Sequence, residues 1–202
     1  MASLKSFLYG VAPILGTTGA TLYERQRALV NLGVLKSAPG RGPGSGVPLT
    51  SESFAAVLIS LLATDNLSEV DQRVVAICNA KPEGATRRPS DEHVRWVRIG
   101  KPTFQSEVAK VLSGQEAQWR SAATGFGPPY RAIRVSRCWR GQILTGRGAL
   151  RPTDYTIDGT SRYRLVNPAI NITAEIEDDV LERLAVFTQG ALSQISEEGD
   201  DE

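Results

Sequence analysis

The stretch Lys36-Ser37-Ala38-Pro39-Gly40-Arg41-Gly42-Pro43-Gly44-Ser45-Gly46 alternates glycine and proline so densely that neither a helix nor a long strand suits it. It is bracketed by two short apolar segments, Val34-Leu35 and Val47-Pro48-Leu49. These read as a strand that leaves and a strand that returns, joined by a flexible basic loop. Whatever lies before residue 34 must therefore end there, and a new element must begin near residue 50.

Upstream, apolar residues recur at Leu4, Phe7, Leu8, Val11, Ile14 and Leu15, the spacing of one helical face, with Pro13 marking a break. Gly16-Thr17-Thr18-Gly19 reads as a tight turn carrying N-cap residues. A second helix is predicted from about residue 20 to 32, burying Leu22, Leu29 and Leu32 and leaving Tyr23, Glu24, Arg27 and Asn31 on other faces. Gly33 stands where a left-handed residue ends a helix.

Downstream, Thr50, Ser51 and Ser53 open an apolar helix to about residue 63, and a further helix is expected over 68–80. Turn formers crowd residues 81–92, the predicted linker. Beyond it, strands are predicted at 94–99, 132–144, 163–166 and 169–176, and helices at 104–112 and 178–192. The expected organisation is α+β. A mostly helical N-terminal domain spans 1–80, a smaller α+β interaction or oligomerisation domain spans 93–195, and an acidic disordered tail spans 196–202.

The formal net charge of the 202 residues is only +1, but the charges are segregated. Residues 1–50 hold Lys5, Arg25, Arg27, Lys36 and Arg41 against the single acid Glu24. From 117 to 153 every charged residue is an arginine, and acids collect at 175–182 and in the tail. A near-neutral average can hide a strong local basic field.

The order helix, turn, helix, short strand, basic loop, strand over Leu15–Leu49 resembles the winged helix-turn-helix DNA-binding regulators. The carrying residues are Thr21-Leu22-Tyr23-Glu24-Arg25, the exit Leu32-Gly33-Val34-Leu35, and the Gly/Arg loop that follows. The resemblance is to the superfamily and implies a recognition helix in the major groove with a wing beside it. Where such folds use a third helix before the recognition helix, this chain offers the apolar helix at 53–63 instead. The implied DNA-binding residues are Thr18, Thr21, Tyr23, Arg25, Arg27, Lys36 and Arg41. Arg25, Lys36 and Arg41 would contact phosphates, and Thr21, Tyr23 and Arg27 would supply sequence preference.

Arg131, Arg134, Arg137 and Arg140 form a second candidate basic surface, though spacing of three does not hold one face of a strand. The acids at 175–182 are alternative partners for them within the chain.

The expected function is a sequence-specific transcription regulator of bacterial or phage type, cytoplasmic, and bound to double-stranded DNA. RNA polymerase or another protein is the expected partner of the C-terminal domain, a homodimer is compatible, and no membrane is involved. The alternatives are a phage or mobile-element DNA-packaging or assembly protein, or a non-enzymatic adaptor. No cofactor is expected, and no catalytic or metal-binding residues are assigned. Gly40–Gly46 lacks the Lys-Ser/Thr ending of a phosphate loop, His93 is the sole histidine, and Cys78 and Cys138 read as buried free thiols.

Overall fold

A computed structural model describes residues 3–38, 46–82, 102–114, 130–136, 140–146, 151–156 and 173–198. The predicted strands at 94–99 and 163–166, His93, Cys138, Arg41 and Arg137 lie outside the described residues, as does most of the expected linker.

The chain is α+β, as its patterning predicts. Helix α1 (Leu4–Val11) buries Leu4, Phe7, Leu8 and Val11, and Ser3 caps it. It stops before Pro13, and a turn from Ala12 to Gly16 follows, with Gly16 at φ +62°. The connection is therefore longer than the predicted tight turn, and Ile14 and Leu15 are half-buried in it. Helix α2 (Gly19–Asn31) is capped by Thr18, whose hydroxyl accepts from the Thr21 amide. Gly33, at φ +74°, ends it in the left-handed conformation expected of that glycine.

Helix α3 (Ser51–Ala63) opens with a reciprocal capping box between Thr50 and Ser53. It is buried along most of its circumference, Phe54 through Ser60 all being inaccessible. A run so uniformly apolar belongs in the centre of a fold. Phe7 of α1 meets Phe54 edge-on at 4.9 Å, so α1, α2 and α3 pack as a group. The predicted helix over 68–80 divides into a single 3-10 turn (Leu67–Glu69) and helix α4 (Gln72–Cys78), capped by Asp71.

Five antiparallel strands form one sheet in the order β1-β4-β3-β2-β5. These are β1 (Lys81–Pro82), β2 (Tyr130–Ser136), β3 (Arg140–Gly146), β4 (Arg151–Thr156) and β5 (Thr173–Ile176). The single strand predicted at 132–144 is thus a hairpin, β2 pairing with β3. Strand β1 falls in the expected linker and joins the far edge of the sheet. Helix α5 (Phe104–Leu112) has its predicted bounds and a Thr103–Ser106 capping box. Its Phe104 ring rests on Gly141 of β3, where an added Cβ would lie 2.7 Å from the ring. Helix α6 (Asp178–Glu198) runs beyond residue 192 into the stretch expected to be disordered.

One continuous buried cluster runs from Leu4 to Leu184 and includes the six α-helices among the described residues and strands β2, β3 and β5. Helix α3 touches α2 on one side and α5, β2 and β5 on others. The compositional boundary near residue 80 therefore marks no division in the packing.

Candidate nucleic-acid interface

Helix α2 carries most of the residues singled out in the sequence, and its geometry sorts them. At 100° per residue, Ala20, Glu24, Arg27 and Asn31 share one face, of which Ala20, Arg27 and Asn31 are exposed. Arg27 reaches back to Glu24, Nη1 lying 3.1 Å from a carboxylate oxygen, across one turn of the surface. An exposed pair at this spacing contributes only tenths of a kcal/mol and is readily exchanged for another partner. Tyr23 borders this face, and the ammonium of Lys5 from α1 sits 4.7 Å from its ring centroid. That contact adds a cation for which the pattern had assigned no role. Its signal was present, because Lys5 falls off the buried stripe of α1.

Arg25 departs from the expectation. It is 2% exposed, and its guanidinium faces the protein interior. Nη1 donates to the carbonyl of Ser60 at 2.7 Å, and Nη2 donates to those of Thr64 and Asp65 at 2.8 and 3.1 Å. Those carbonyls terminate α3, where a cation satisfies unpaired acceptors and opposes the helix dipole. Burial lowers the pKa of Arg25, and the nearby Asp65 carboxylate partly opposes that shift. Arg25 is thus unavailable to a phosphate. The helical stripe through Leu22 and Leu29 includes residues 25 and 26, so the position was legible as inward, but its charge argued the other way.

Thr21 is exposed but lies roughly 120° around the helix from Arg27 and faces a cleft on the opposite side. Thr18 is exposed at the N-terminus of α2. Beyond the helix, Leu35 is buried and Lys36 exposed. The hairpin expected there closes farther out, by paired bonds between Ala38 and Gly46 of 2.8 and 3.2 Å. Its returning arm does not pair with Val34-Leu35. Pro48 bridges to Ser3, and the Leu4 amide donates to the Val47 carbonyl at 3.0 Å, so the arm is tied to the start of α1.

Compared with known proteins, the chain matches no family model, no curated protein and no solved structure.

Of the second arginine group, Arg134 is the member whose side chain lies among the described residues. Arg134 pairs with Glu175 of the neighbouring strand β5, with Nη2 and Nε at 2.7 and 2.9 Å from the same oxygen. This is the intramolecular alternative expected for these residues. Arg131 and Arg140 lie in β2 and β3. Among the described residues no group of three or more metal-ligating side chains occurs, and no helix is long and apolar enough to cross a membrane.

Proposed function

We propose that residues 3–49 form a winged helix-turn-helix that binds double-stranded DNA, within a transcription regulator of bacterial or phage type. The carrying observation is the solvent face of α2, with Arg27 and Asn31 exposed, followed directly by a hairpin closed at Ala38 and Gly46. Helix α3 supports the reading by filling the place of a third helix behind α2.

In this reading α2 enters the major groove. Arg27 exchanges Glu24 for a guanine edge, Asn31 addresses an adenine, and Glu24 accepts from a cytosine amine. Lys5, Lys36 and Arg41 contact phosphates. Arg25 sets the tilt of α2 from inside and touches no DNA.

The test is fluorescence anisotropy with genomic promoter fragments and random duplex across a salt series. Three or four cation–phosphate contacts give a log–log salt slope of roughly −3 to −4. Arg27→Ala is expected to relax sequence preference, whereas Arg41→Ala weakens every duplex alike and lowers the slope by about one. Equal affinity for all duplexes would favour a packaging or assembly protein. Flat curves at low salt would overturn DNA binding altogether.

A further inference from the structure

Helix α2 turns no net formal charge to solvent, and two separate contacts make it so. Its charged residues are Glu24, Arg25 and Arg27. Arg25 faces inward, where the carbonyls of Ser60, Thr64 and Asp65 accept from it. Arg27 faces outward, but both carboxylate oxygens of Glu24 lie 3.1 Å from its Nη1. The cations left over stand beside the helix. Lys5 of α1 lies over the Tyr23 ring, and Lys36 is exposed beyond the end of α2.

Glu24 is also the single acid among residues 1–50, which hold five lysines and arginines. Its carboxylate does little for the helix itself. An exposed pair one turn apart adds little stability, and glutamine has nearly the same helix propensity as glutamate. The negative charge therefore acts chiefly on whatever approaches this face.

We infer, resting on the reading that α2 faces DNA, that Glu24 is a specificity-determining residue that withholds the charge of Arg27 from the phosphate backbone. Sequence-independent affinity comes from cations that neutralise phosphates and release counterions. Arg27 would gain a phosphate only by giving up another anion, leaving the Glu24 carboxylate bare against a negative duplex. An arbitrary sequence therefore gains nothing from this face. Guanine and cytosine edges differ, because Arg27 donates to guanine O6 and N7 while Glu24 accepts from a cytosine amine, and both charges end partnered. Discrimination then comes from weak binding to wrong sequences as much as from tight binding to the right one.

The measurement is fluorescence anisotropy of the full chain with a random duplex and with its tightest-binding promoter fragment, across a salt series. Glu24→Gln is expected to bind the random duplex roughly 3–10-fold more tightly at about 50 mM salt, with a log–log slope steeper by about one. Its preference for the promoter fragment falls by a similar factor. A purely structural role for Glu24 would leave the slope unmoved. The gain is expected to vanish in Glu24→Gln/Arg27→Ala, where no cation is left to release. Unchanged affinity and slope in Glu24→Gln, or a gain that persists without Arg27, would overturn the inference while DNA binding by the unsubstituted chain stands. Failure of the unsubstituted chain to bind either duplex would overturn the DNA reading and this inference together.

Discussion

At the scale of single residues, Arg25 sets the position of α2. Its guanidinium satisfies three carbonyls at the end of α3 from a site that is 2% exposed. Arg25→Ala leaves those carbonyls unpaired and opens a void, with an expected loss of roughly 2–4 kcal/mol in urea unfolding. Arg27→Ala, on the exposed side of the same helix, is expected to change stability by less than about 0.5 kcal/mol. Similar losses for both would refute the division between an inner and an outer arginine. Cys78 offers a second residue-level check. Burial pushes its thiol pKa up to about 12. Because the folded value is raised, its contribution is complete below the unfolded thiol's pKa of about 8.5 and is lost as pH rises through the folded value. With Cys138→Ser leaving one thiol, reaction with a disulfide reagent at pH 8 is expected to proceed no faster than unfolding, and rapidly in urea.

At the scale of elements, the contacts of α1 depend on two glycines. A Cβ on Gly19 would lie 2.5 Å from the Tyr9 ring and 2.9 Å from its Cα, and backbone cannot swing aside. A Cβ on Gly10 would meet only the tip of the Phe187 side chain, which is 38% exposed, and no backbone. Gly19→Ala is therefore expected to cost about 1–3 kcal/mol through overpacking. Gly10→Ala should be near neutral, the helical gain of about 1 kcal/mol offsetting the shift. Thermal melts of the two variants check the contrast.

The helices were largely legible because their apolar spacing and caps are local signals: Thr18, Thr50 and Thr103 each mark a start. The sheet was less so. The sequence between β2 and β3, Arg137-Cys138-Trp139, lacks the Asn-Gly or Asp-Gly dipeptide that announces a hairpin, and β1 is two residues long. Of the candidate site, Arg27 and Lys36 were legible as exposed. Arg25 lies on the apolar stripe of α2, but the acceptors that let a charge turn inward lie 35 to 40 residues away in sequence.

At the scale of the molecule, the buried cluster extends across residue 80 without a break. Residues 1–80 alone would expose the side of α3 that packs on α5, β2 and β5. That fragment is expected to lack a cooperative urea transition, whereas the full chain unfolds with one. A fragment with a sharp transition of its own would show that the first eighty residues are self-sufficient. The burial of α3 also shapes how this protein can change over time. A helix walled in on nearly every side admits few substitutions, so the scaffold is held still while the outer residues of α2 remain open to replacement. If α2 reads DNA as proposed, new target preferences would arise by drift at Glu24, Arg27 and Asn31, without renegotiating the architecture beneath them.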